Sequence, residues 1–145
     1  DYVKRLSDCG MEYVCAHSDV LKDNVEYFID KVHKHNMKAG LVLSPEDSAD
    51  SIRPDLKDVE YVLVMCVKPG FAGQTFMEEM LPKVEELKRM REREHLNFLI
   101  EVDGGVNDVI AKQVAGAGAE LIVVGGYLFG GNPGERYSIL REAVK

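Results

Sequence analysis

Apolar residues along this chain recur in two rhythms. Five short runs are almost continuously apolar and rich in β-branched residues: Tyr13–His17, 39–43, 61–67, 98–103 and 121–125. Runs of that length and composition predict strands. Between them the spacing lengthens to about 3.6 residues. Residues 24–35 place Val25, Phe28, Ile29 and Val32 on one face, and residues 76–93 set Met80, Leu81, Val84 and Leu87 opposite Glu79, Lys83, Glu85 and Arg89. Both segments predict helices that pack by a single apolar stripe. Shorter helices are expected over 47–56 and 108–115, and a closing helix over 135–144 carries Tyr137, Leu140 and Val144 on one stripe. An amphipathic helical pattern also opens the chain at Tyr2 and runs straight into Asp8, Cys9 and Gly10. It begins at Asp1 with no lead-in, so the sequence is expected to start inside a larger unit.

Alternating helices and near-continuous apolar strands are the mark of a parallel sheet covered by helices, so the class is α/β. Five strands in 145 residues give about 29 residues per βα unit, against about 31 in an eight-unit barrel. A doubly wound open sheet has similar spacing, and the period alone does not separate the two. Glycine placement favours the barrel. Three strands run directly into glycine-bearing turns, at Gly70 and Gly73, at Gly104 and Gly105, and at Gly125 and Gly126. Permissive backbone therefore clusters at successive carboxyl ends, where barrel enzymes place their chemistry. The expected fold is a (β/α)8 TIM barrel, present here as a single partial domain over residues 1–145 that covers strands 4 to 8.

Charge and composition narrow the partners. Eighteen Lys and Arg against 25 Asp and Glu leave a net charge of −7, and no basic stretch offers a nucleic-acid footprint. No apolar run is long enough to cross a bilayer, and no secretory leader opens the chain, so a cytoplasmic setting without membrane or nucleic-acid partners is expected. Cys9, Cys15 and Cys66 are an odd number with no close pair, which fits reduced thiols.

Strand alternation singles out the candidate chemistry. In 99–103, Leu99, Glu101 and Asp103 share one face while Ile100 and Val102 share the other. With Ile100 and Val102 toward the helices, Glu101 points into the barrel and Asp103 stands at its mouth, beside amides that Gly104 and Gly105 leave bare. The plainer reading is that Asp103 caps a turn before the helix that Asn107 begins; a second carboxylate in the same strand argues against it, because an interior acid needs a partner. The six glycines would let backbone N–H groups approach a phosphate closely, or would simply serve tight turns. Met65, on the face of Leu63 and Val67, would line the pocket floor or fill core. His17 ends a strand, His33 and His35 lie at a helix end where cation and dipole agree, and no HxH or HExxH pattern supplies a metal site. Glu79 with Lys83 and Glu85 with Arg89 are expected to pair along their helix.

Three motifs carry a resemblance: VLVMCVKPGFAGQTF over 62–76, IEVDGGV over 100–106 and GAELIVVGGYLF over 118–129. In order and spacing they resemble the ribulose-phosphate 3-epimerase family, with weaker likeness through Tyr13–His17 and 38–45, so that all 145 residues align with the carboxyl-terminal five strands of that barrel. The resemblance implies a metal-dependent isomerase of the pentose phosphate route that moves one proton at C3 of a ketopentose 5-phosphate. Asp103 matches the aspartate that binds a divalent metal, whether zinc, iron, manganese or cobalt, and serves as one of two acid–base carboxylates. Gly70, Phe71, Ala72 and Gly73 match the loop that closes over the substrate, Met65 the pocket methionine, Gly104 and Gly105 the turn after the aspartate, and Gly125 and Gly126 the last phosphate-binding turn. A homo-oligomer is expected of the full-length parent.

The departures matter too. Ala72 stands where a glycine is usual, Gly126 and Tyr127 replace a Ser-Ala pair, and Lys68 takes a place where asparagine or an acid is common. The lost serine hydroxyl leaves the phosphate site to a backbone amide, with Tyr127 or Lys68 as the side chain that compensates. In the family the second carboxylate and both metal-binding histidines come from the second and third strands, ahead of every residue present here. His17 aligns with a histidine that is not a metal ligand. The 145 residues alone are therefore expected to be inactive. The alternatives are an epimerase or synthase acting on a hexulose 6-phosphate, and a non-catalytic sugar-phosphate-binding homologue.

Overall fold

The computed structural model describes residues 2–68, 70–71 and 73–145. Its elements are α1 (Tyr2–Asp8), β1 (Tyr13–His17), α2 (Ser18–Leu21), α3 (Val25–His33), β2 (Lys38–Leu43), β3 (Tyr61–Met65), α4 (Leu81–Glu94), β4 (Leu99–Asp103), α5 (Asp108–Ala117), β5 (Leu121–Val123), α6 (Gly126–Phe129) and α7 (Pro133–Ala143). The five strands form one parallel sheet in the order β1-β2-β3-β4-β5. Each strand thus pairs with its neighbour in sequence, and no reversal of order occurs as a doubly wound sheet requires.

The core lies on one side of this sheet. Ala39, Leu41, Leu43, Val62, Val64, Ile100 and Val102 are fully buried against Ile29, Val32, Val84, Leu87, Ala111 and Val114 of the helices. The opposite face reads Tyr13, Cys15, Tyr61, Leu63, Met65, Leu99, Glu101, Asp103, Leu121 and Val123 by alternation and register. Of these Tyr13, Leu99, Leu121 and Val123 are exposed, so a largely apolar face stands open. Tyr61 and, by register, Val42 are buried exceptions: the Tyr61 ring lies over Gly40, where an added Cβ would collide with it, and packs edge-on against Tyr13 at 5.7 Å between centroids.

Several boundaries differ from the sequence pattern, each for a local reason. The segment expected as a helix over 47–56 is a 3-10 helix, Ala49–Asp55, with Pro54, which has no N–H to donate, inside it. β3 stops at Met65 rather than at 67. Beyond it Cys66 N donates to the Asp103 carbonyl (2.7 Å) and Met77 N donates to the Cys66 carbonyl (2.9 Å), folding the following loop back over the strand end. The helix expected from 76 starts at Leu81 behind a 3-10 turn, Glu78–Met80, with Pro82 in the first helical turn. α7 begins at Pro133, capped by Asn132 Oδ1, which accepts from Gly134 N (3.0 Å). Its anticipated stripe is mostly solvent-facing: Leu140 packs on the core while Tyr137 and Val144 are exposed. No helix among the described residues is long and apolar enough to cross a membrane.

Candidate functional site

A cavity of about 600 Å³ opens at the carboxyl ends of β3, β4 and β5. Alternation along β4 puts Asp103 on the open face, and the register sets it opposite Met65 of β3 and Val123 of β5. These three side chains form one transverse row of the wall. Around them the cavity is lined by Gly70, Phe71 and Gly73 after β3, Gly104 and Gly105 after β4, and Gly125 and Gly126 after β5. Met65, Asp103, Phe71 and the six candidate glycines therefore meet in one place, while Ala72 lies outside the described residues.

The glycines differ in what demands them. Gly105 has φ +66° and an added Cβ would collide with the backbone of Phe76 and Thr75, so no side chain fits. At Gly125 and Gly126 nothing lies within 4 Å of an added Cβ, so those two turns leave empty room beside their amides.

Burial tunes the groups around the row. Glu101, one pleat below Asp103 on the same face, has its carboxyl held above the usual carboxylate range, first by desolvation and then by the Asp103 charge. The buried Cys66 thiol is pushed up to about 12, chiefly by desolvation. It faces away from the cavity into the core.

Other residues of the site carried weaker sequence signals. Gln74 Nε2 donates to the carbonyls of Lys68 (2.6 Å) and Phe71 (2.9 Å), tying the loop to itself, and it also lines the cavity. It sits inside the first motif, but nothing local announces a side chain that bonds three and six residues back. Asn107 both caps α5, accepting from Ile110 N at 2.9 Å through Oδ1, and faces the cavity. Lys68, Val67, Val106, Val123 and Tyr127 complete the lining. His17 is not among the lining residues; its Nδ1 shares a hydrogen bond with Ser44 Oγ at 3.1 Å. His33 instead meets Glu60 at 3.1 Å, and His35 Nδ1 donates to the Lys31 carbonyl at 2.9 Å.

Asp103 was expected to hold a divalent metal. Among the described residues no three His, Cys, Asp or Glu side chains gather so as to hold a cation. One carboxylate does not bind a divalent ion well, so the residues of this chain do not by themselves fit the metal.

A parallel sheet with helices on one face and a cavity beyond its carboxyl ends defines an α/β protein whose binding site is built from βα turns. Residues 1–129 match the ribulose-phosphate 3 epimerase family, and the chain belongs to it. It is 38% identical over 149 residues to the cytoplasmic isoform of ribulose-phosphate 3-epimerase from Oryza sativa subsp. japonica, covering 100% of this chain and 64% of the rice protein. Ribulose-phosphate 3-epimerase of Bacillus subtilis is 37% identical, over 89% of this chain and 59% of its own length. That of Schizosaccharomyces pombe is 36% identical, over 99% and 61%. The chain thus spans roughly three fifths of the length of these curated relatives. A crystal structure of 3-hexulose-6-phosphate synthase superposes with a TM-score of 0.72 at 22% identity, covering 100% of this chain and 70% of that one, a likeness of fold.

Proposed function

We propose that the protein acts in epimerisation at C3 of a ketose phosphate, interconverting D-ribulose 5-phosphate and D-xylulose 5-phosphate, with Asp103 moving a proton on one face of the sugar. The observation that carries this reading is the convergence of Asp103, Met65 and the glycine turns on one cavity. Bare amides at Gly104, Gly105, Gly125 and Gly126 suit a phosphate, and Gly70, Phe71, Ala72 and Gly73 would cover the bound sugar.

The chemistry balances simply. The C3–H bond breaks, its proton passes to an Asp103 carboxylate oxygen, and the electron pair left at C3 delocalises onto the C2 oxygen as an enediolate. Return of a proton to the opposite face inverts C3. That return needs an acid across the sugar plane, and Glu101 cannot be that acid, because it lies on the same strand face as Asp103.

We further propose that the five strands are strands 4 to 8 of an eight-stranded barrel. Five units in eight is close to the share of the relatives' length that the chain spans, and the open apolar face is the surface a closed barrel would fill. On this reading the opposing acid and the remaining metal ligands lie on the other three strands.

A coupled epimerase assay tests the proposal. The 145 residues alone should show no turnover; preceded by the corresponding upstream segment of a relative they should turn over, and Asp103→Asn should then lower kcat by about 10²–10⁴-fold. Full activity from the 145 residues alone would contradict the two-carboxylate mechanism. Faster turnover of a hexulose 6-phosphate would reassign the substrate, and binding without turnover in the joined protein would mark a sugar-phosphate-binding homologue.

A further inference from the structure

We propose that Lys68 is the side chain that pairs with the phosphate group in this cavity, supplying a formal positive charge where the glycine turns supply only N–H dipoles. The inference rests on the ketose-phosphate reading for the identity of the anion and deepens it by naming the group that recognises it.

Two side chains could stand in for a hydroxyl at the phosphate end, and the structure separates them. Tyr127 is already engaged: burial first, and then the Asp108 carboxylate beside it, hold its hydroxyl above the usual phenol range. Its carbonyl accepts from the Arg136 guanidinium, which also stacks over the ring at 4.8 Å. A phenol beside a carboxylate is poorly placed to serve an anion. Lys68 is the opposite case. It lines the cavity, and no hydrogen bond or ion pair to its ammonium is found among the described residues. Its backbone is nevertheless held, because its carbonyl accepts from Gln74 Nε2 at 2.6 Å. A cation without a partner among the described residues, on an anchored stem, thus lines the same cavity as the bare amides.

Charge balance points the same way. Among the described residues lining the cavity, Lys68 is the one cation and Asp103 the one anion, with Glu101 below it on the same strand face. The chain as a whole carries −7. A phosphate dianion entering that field meets repulsion that peptide dipoles offset only in part, and a lysine ammonium acts on it as a point charge. The contact should also respond to salt, since an exposed pair is screened within about 8 Å at physiological ionic strength.

Isothermal titration with inorganic phosphate, at low and high salt, tests this on the protein and on Lys68→Gln and Lys68→Arg, with circular dichroism to confirm the fold. Lys68 is exposed, so the substitutions should leave the fold intact. Lys68→Gln should weaken phosphate binding about tenfold or more at low salt and flatten its salt dependence, while Lys68→Arg should restore both. Equal affinity in the unsubstituted protein and Lys68→Gln, or no phosphate binding to the unsubstituted protein, overturns the inference. The same titrations with D-ribulose 5-phosphate and D-ribulose keep the two readings apart: phosphate bound through Lys68 with no affinity for the ketose phosphate would uphold the inference and sink the epimerase reading.

Discussion

Gly105 and Gly126 are bare for opposite reasons. At Gly105 a methyl group would meet backbone that cannot swing aside, and the positive φ adds its own strain. Gly105→Ala should therefore destabilise the fold by about 2–4 kcal/mol, seen as a Tm several degrees lower. Gly126→Ala projects into open space. It should leave Tm unchanged while weakening phosphate binding, and a matching loss of stability at both positions would refute the distinction. Cys66 and Cys9 form a second contrasting pair, one buried and one exposed. With its thiol pushed up from 9.0 to about 12, Cys66 stays protonated near neutral pH, so a thiol reagent should label Cys9 rapidly and Cys66 only on unfolding. The sign of the linkage follows: Cys66 favours the native state fully below pH 9 and loses that contribution as pH rises toward about 12, which alkaline denaturation of Cys66→Ala against the parent would measure. Asp103 and Met65 were legible in the sequence because period-two alternation fixes a face from a few residues. The hydrogen bonds of Gln74 and Lys83 were not, because they depend on where the chain returns: Lys83, expected to pair with Glu79, instead donates to the carbonyls of Ser44 and Pro45 at 2.9 Å.

At the scale of elements, helix ends show how local signals were won or lost. Asn107 and Asn132 cap α5 and α7 through their side chains; the first was legible as the residue that begins its helix, whereas the closing helix was expected only from 135. The end of α4 falls at Glu94, one residue past the expected 93, although no glycine marks it. It stops at His95 in the left-handed conformation, φ 54° and ψ 38°, where glycine is the ordinary choice. His95→Gly should raise stability by about 0.5–1 kcal/mol, measurable as a higher midpoint in urea with the m-value unchanged. A lower midpoint would show that the imidazole makes a contribution beyond the cap. The same limit applies to the 3-10 helix Ala49–Asp55: its apolar residues Ala49 and Ile52 are buried as a helical pattern implies, but that pattern does not tell a 3-10 turn from an α-helical one.

For the whole molecule, the sequential strand order and one-sided core explain why a glycine-rimmed cavity and a bare sheet face coexist. β1 and β5 each have a single paired neighbour, and Leu99 and Leu121, both 38% exposed, lie on the open face beside them. Unpaired edges joined to exposed apolar surface promote association. The 145 residues should sediment as concentration-dependent oligomers and bind a hydrophobic dye; a monodisperse, cooperatively melting monomer would count against the incomplete barrel. The most direct test of the central claim is titration of the isotopically labelled protein with D-ribulose 5-phosphate, followed by amide chemical shifts. The largest changes should fall on Gly70, Gly73, Gly104, Gly105, Gly125 and Gly126, with Asp103→Asn altering the pattern around β4. Shifts confined to other parts of the surface, with those six amides still, would contradict it.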